Sequence, residues 1–138
     1  MNNIKLNASE LFHDLRQIAS RVPTDFGGGS PLSKTFLMAY IALEYDLKNY
    51  VEIGVYRGRS FFPMAYTVKL LDGLAYGIDA FNSEIAKEYD LDADFGRQVN
   101  SFLEGVDFSQ IYDDVKRLQR ELALKENSMI IKDKSSNA

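Results

Sequence analysis

Apolar residues recur every three or four positions over 9–22, where Leu11, Phe12, Leu15, Ile18, Ala19 and Val22 fall on one stripe. That spacing predicts an amphipathic helix with Ser9 as its N-cap and Pro23 as its stop. His13 falls beside the stripe and reads as a surface or boundary side chain. A second helix is predicted to open at Ser30-Pro31, with serine as N-cap and proline in the first helical position. Its expected buried face is Leu32, Phe36, Leu37, Tyr40, Ile41 and Leu47. Between the two helices, Gly27-Gly28-Gly29 reads either as a linker or as a mobile lip over a ligand pocket.

The pattern changes at residue 50. YVEIGV, 50–55, is short, β-rich and mostly apolar, which predicts a buried strand ending at Gly54. YRGRS, 56–60, is a turn. FFPMAYTVKLL then reads as a helix from Ser60, with Pro63 in its first turn, closed by Asp72-Gly73. LAYGIDAF, 74–81, is a second apolar strand. Strand, helix and strand within about 30 residues form one βαβ unit, hence two parallel strands joined by a right-handed crossover. A third amphipathic helix is expected over 108–125, through Phe108, Ile111, Tyr112, Val115, Leu118 and Leu122, and SMIIKD, 128–133, reads as a third strand. The expected strand order is 3-2-1. The closing KSSNA has the look of a helix beginning.

Residues 82–107 are polar and acidic, with Glu84, Glu88, Asp90, Asp92 and Asp94, and read as a solvated helix and loop. Residues 90–96 alternate acids up to Gly96, as a calcium loop does. The closing glutamate that such a loop needs would be residue 101, which is Ser101, and the calcium reading fails.

Composition narrows the function classes. The chain has 138 residues, 46% hydrophobic and 26% charged, with a net charge of −4. That is the size and make-up of one globular domain. The acidic balance argues against a dedicated nucleic-acid binder, which usually carries a basic face. No apolar run is long enough to span a bilayer and the N-terminus has no signal-peptide core, so a soluble cytoplasmic protein is expected. There is no cysteine and one histidine, which excludes disulfides, thiolate nucleophiles and multi-histidine metal sites.

The candidate chemistry lies in Glu52-Ile53-Gly54-Val55-Tyr56-Arg57-Gly58-Arg59-Ser60 and in Asp79 at the end of the next strand. Ligands of open α/β sheets bind beyond the carboxyl ends of the strands, where both features fall. Gly54 and Gly58 let the backbone turn and approach a ligand closely. Ser60 can cap the following helix or offer its hydroxyl, and Asp79 can accept hydrogen bonds from a ribose diol. The dinucleotide fingerprint needs glycine at 54, 56 and 59, where this chain has Gly54, Tyr56 and Arg59. The phosphate loop fails on spacing and on its lysine. Glu52 would repel a phosphate and suits a cationic ligand, whereas Arg57 and Arg59 run against that argument unless they point to solvent.

VEIGVYRGRS followed by YGIDAF resembles motifs I and II of the class I S-adenosylmethionine-dependent methyltransferases. The form E-x-G-x-x-x-G-x-S with G-I-D-x-[FW] is similar to the branch of sugar and antibiotic O-methyltransferases and cephalosporin-hydroxylase-like proteins. FGGGSPLSK upstream also fits that branch. The resemblance covers 26–81 well and 128–138 weakly. Tyr56 stands where the commoner form has its middle glycine. The resemblance implies an α/β fold with a Rossmann-like parallel sheet and S-adenosylmethionine as cofactor. It implies that Glu52 holds the methionine amino group and that Gly54, Val55, Tyr56 and Gly58 form the loop beneath the methionine moiety. Asp79 would bind the ribose hydroxyls, and Ala80 and Phe81 would line the adenine side.

The family fold has about seven strands and three are read here, so the expectation is its N-terminal half, truncated after the third strand. Residues 1–49 would be N-terminal helices with the Gly-rich loop, and 50–138 a partial cofactor-binding domain. Methyl transfer would go to a small-molecule oxygen or nitrogen acceptor, with no nucleic-acid or membrane partner, no metal and no catalytic residue identified. Two alternatives stand beside it. One is a non-catalytic half-domain that binds a partner, or a second copy, through the open sheet edge beside Glu52. The other is a different nucleotide-cofactor enzyme, which the failed glycine spacings disfavour.

Overall fold

A computed structural model describes residues 7–24, 30–87 and 93–138. Along the chain these form α1 (Ala8–Ser20), α2 (Leu32–Glu44), β1 (Asn49–Ile53), α3 (Phe61–Lys69) and β2 (Leu74–Asp79). There follow α4 (Ser83–Ala86), α5 (Ala93–Glu104), α6 (Phe108–Glu121) and β3 (Ser128–Lys132). The fold is mixed α/β. Its three strands form one parallel sheet in the order β1-β2-β3, the expected order read from the other end. The Gly27-Gly28-Gly29 segment and the acids Glu88, Asp90 and Asp92 lie outside the described residues.

The starts of α1, α2 and α3 differ in detail from their sequence signals. The cap of α1 is Asn7, whose side chain accepts the Ser9 amide at 3.0 Å, so Ser9 sits inside the helix. Asparagine is as good a cap as serine, and the earlier residue prevails. In α2 the cap is Pro31, whose carbonyl accepts from Lys34 and Thr35, and Ser30 lies one residue outside. The Ser60 hydroxyl caps nothing at α3.

Strand register puts Tyr50, Glu52, Ala75, Gly77, Ser128 and Ile130 on one sheet face. This face carries the core. Val55, Phe61, Phe62, Ala65 and Val68 close over it from the β1–α3 segment, and Phe108, Ile111 and Val115 from α6. Glycine at 77 is dictated by this packing: a Cβ there would lie 2.6 Å from Val55 Cγ2 and 2.9 Å from the Phe61 ring. A buried amide ties α6 to β3, since Gln119 Nε2 donates to the Ser128 carbonyl at 2.8 Å and to its hydroxyl at 3.0 Å.

The opposite face is unlike what the sequence led us to expect. Val51, Ile53, Leu74 and Met129 are exposed on it, Ile53 by 69%. The strand over 50–55 reads as buried, as strands of parallel sheets usually are, and as the strand beside the open sheet edge. β1 does lie at an edge of the sheet, and it buries one face only.

Helix α2 is turned away from its expected orientation. Leu11, Leu15, Ala39, Ala42 and Met64 form a second cluster joining α1, α2 and α3. The buried side of α2 is therefore Thr35, Ala39 and Ala42, while Leu37, Tyr40 and Ile41 are 58%, 51% and 40% exposed. Small side chains let α2 lie close against its neighbours, and that close approach outweighs the larger apolar residues, which face out. Leu47 is exposed as well, Phe12 of α1 lies at the surface, and Leu32 and Phe36 are half-buried.

Candidate functional site

The β1–α3 loop and the end of β2 meet through Asp79. Its Oδ2 accepts the Tyr56 amide at 2.7 Å and its Oδ1 accepts the Phe81 amide at 2.7 Å. Both residues have positive φ, 48° for Tyr56 and 45° for Phe81. Non-glycine residues adopt that conformation at a cost, which persists only where surrounding contacts enforce it. One carboxylate stabilises both turns. Each of its oxygens keeps a second lone pair for another donor.

Gly54 continues the β1–β2 ladder, donating to the Ile78 carbonyl at 2.9 Å. It has φ +83°, and among the described residues a Cβ built on it would meet nothing within 4 Å. The conformation requires glycine, and no described residue fills the space above it. Gly58 also has φ +83°, and a Cβ there would lie 2.4 Å from the Phe62 ring. Gly58 is thus fixed by conformation and by packing, and its amide closes the turn on the Val55 carbonyl at 2.8 Å.

Glu52 lies on the same face as Asp79, one strand over, opposite Gly77. Its Oε2 accepts the Tyr50 hydroxyl at 2.5 Å and its Oε1 accepts the Ser60 hydroxyl at 2.9 Å. Burial lifts the Glu52 carboxyl above the usual glutamate range. The hydrogen bonds from Tyr50 and Ser60 and the charge of Lys34 act the other way, and the charge of Asp79 adds a little to the rise. Burial, followed by the Glu52 charge and hydrogen bond, drives the Tyr50 hydroxyl far above its ordinary value, so it stays a donor.

The remaining expected residues divide. Val55 and Phe81 are buried in the core, Phe81 against the Tyr112 ring at 5.0 Å, so they face the core with their side chains and the loop with their backbone. Ala80 is half-buried at the strand end. Arg59 is drawn away from Glu52: its Nε donates to the Ser30 carbonyl at 3.2 Å and its guanidinium reaches Ala19 O at 3.4 Å. Arg57 lies over the Tyr56 ring at 5.3 Å. It borders a cleft of about 270 Å³ between Arg21 and the Ile111, Asp114, Leu118 and Glu121 face of α6.

Tyr50, Lys34 and Gly77 escaped sequence reasoning. Tyr50 has a signal that could have found it, since it lies two residues before Glu52 on the same strand face. Lys34 has none, because it reaches Glu52 only through the packing of α2.

Among the described residues, no cluster of three or more carboxylate or histidine side chains is placed to hold a metal ion. None of their helices is long and apolar enough to cross a membrane. No protein-family model matches the chain, and no curated protein matches it. Fold and site together define a mixed α/β protein with two carboxylates at the carboxyl ends of adjacent parallel strands.

Proposed function

We propose that the chain carries the S-adenosylmethionine-binding portion of a class I methyltransferase with a Rossmann-like sheet, acting on a small-molecule oxygen or nitrogen. The observation that carries this reading is the pair Glu52 and Asp79 on one sheet face, flanking Gly54, above which no described residue lies. A partly buried glutamate already held by two hydroxyls suits a cation and resists a phosphate. The donor set fits the cofactor, which has an ammonium and a ribose diol and no phosphate. When bound, S-adenosylmethionine supplies an electrophilic methyl group.

The residues of this chain bind and orient. Glu52 would accept the ammonium, with Tyr50 and Ser60 fixing its carboxylate plane. Asp79 would accept ribose hydroxyls on its spare lone pairs while its backbone contacts hold the loop in shape. The Gly54–Gly58 turn would present its backbone to the methionine moiety. Positioning of this kind supplies much of the rate of a displacement reaction.

Calorimetric titration with S-adenosylhomocysteine tests the reading, with NADH as the control ligand. Saturable binding is expected for the wild-type chain, weakened at least about tenfold in Glu52→Gln and in Asp79→Asn, the loss of one charge-assisted hydrogen bond. Asp79→Asn keeps an oxygen for one backbone amide, so circular dichroism can show that the variant remains folded. A folded wild-type chain that binds NADH, or neither ligand, overturns the reading.

The open edge at β1 favours a second reading, a partner-binding half-domain. Association abolished by Val51→Lys, without cofactor binding, would select it.

A further inference from the structure

We infer that the outer face of α2 is a self-association surface on which a second copy of this chain packs its own α2 antiparallel. The inference is independent of any cofactor. It starts from the helix whose orientation the sequence misjudged. With Thr35, Ala39 and Ala42 turned inward, the outward face presents Leu37, Tyr40 and Ile41, and Tyr45 and Leu47 extend it beyond the helix end. A helix apolar on its inner and outer faces is one built to be covered on both.

Charge selects the occupant. Within α2 the only charged residues are Lys34 near the start and Glu44 at the end, both exposed. At about 100° per residue, Lys34 falls about 20° from Ile41 and Glu44 about 20° from Leu37, on the two flanks of the outward stripe. A two-fold axis at the level of residue 39 puts Leu37 of one copy beside Ile41 of the other. The same axis brings Lys34 to the level of Glu44 at both ends of the contact, where two long side chains can meet across it. Antiparallel pairing also opposes the helix dipoles. A parallel pair would bring like charges together. The apolar face is therefore self-complementary in one direction only, which is the property a symmetric dimer needs. The exposed sheet face carries no charge pattern of this kind and selects no partner.

About three anchoring side chains per copy make a contact smaller than the ~800 Å² per partner of a standard interface, so a micromolar dimer is expected. Sedimentation velocity of the 138-residue chain over about 5 to 500 µM reads it directly. The wild-type chain should shift from monomer to dimer across that range. Ile41→Glu should weaken the dimer by at least about tenfold, and Glu44→Lys by several-fold. The double variant Lys34→Glu/Glu44→Lys should return towards the wild-type constant, because the pairing is restored with its signs exchanged. Lys34 also acts on the Glu52 carboxyl, so the swap is read by mass and not by ligand binding. A chain monomeric throughout overturns the inference. So does association that ignores Ile41→Glu but is lost in Val51→Lys, or a double variant that recovers nothing.

Discussion

Glu52 shows how one side chain is set by its surroundings. Burial raises its carboxyl, so the native state retains a proton that the unfolded chain loses above the ordinary glutamate value of 4.5. The folded state binds more protons in that window, and its stability therefore falls as pH rises from 4.5 to the raised value. The difference in unfolding free energy between wild type and Glu52→Gln should shift in favour of the variant across that window. A difference that stays flat with pH would show the carboxyl to be unperturbed. Gly77 makes the opposite kind of prediction. A methyl at 2.6 Å from Val55 and 2.9 Å from Phe61 must displace core atoms, so Gly77→Ala should cost about 1–3 kcal/mol in chemical denaturation. In the sequence Gly77 is an interruption in a strand. Only the Val55 and Phe61 side chains packed above it explain why it must be glycine.

At the scale of elements, the hydrophobic pattern located all three strands and the helices α1, α2, α3 and α6 to within a few residues. It did so because periodicity reports local geometry. It misassigned the inner face of α2, because which stripe turns inward depends on how close the neighbouring helix must come. It also gave no hint of Gln119, a polar residue on an amphipathic helix that is fully buried against Ser128. Gln119→Ala would leave the Ser128 carbonyl without this donor in the core. A loss of about 1–3 kcal/mol is expected by denaturant titration. Gln110→Ala on the exposed side of the same helix should stay within about 0.5 kcal/mol. Equal losses would mean that the amide contributes through helix propensity alone.

At the scale of the molecule, the sheet has one face in the core and one face open, and the two faces should answer truncation differently. Ile130 is 6% exposed, and Ile130→Ala should cost about 2–5 kcal/mol. Ile53 is 69% exposed, and Ile53→Ala should cost no more than about 0.5 kcal/mol. Comparable costs would show that the outer face is covered in solution. The candidate site belongs to this scale too. Glu52, Gly54, Gly58 and Asp79 could be picked out as residues from spacing, since parallel strands bring their carboxyl ends to one edge. That Asp79 holds two left-handed turns, and that Arg59 is turned to the carbonyls of Ala19 and Ser30, follows only from the folded chain.

The sequence by itself determined the three strands and the helices α1, α2, α3 and α6, their order and the glycines of the β1–α3 turn, because these depend on residues near one another in the chain. The tertiary structure decided which faces are covered: the inward turn of α2 on its small residues, the open outer face of the sheet and the burial of Glu52. Each of these depends on surfaces meeting from distant parts of the chain, and the energy of such a contact is written in neither partner alone.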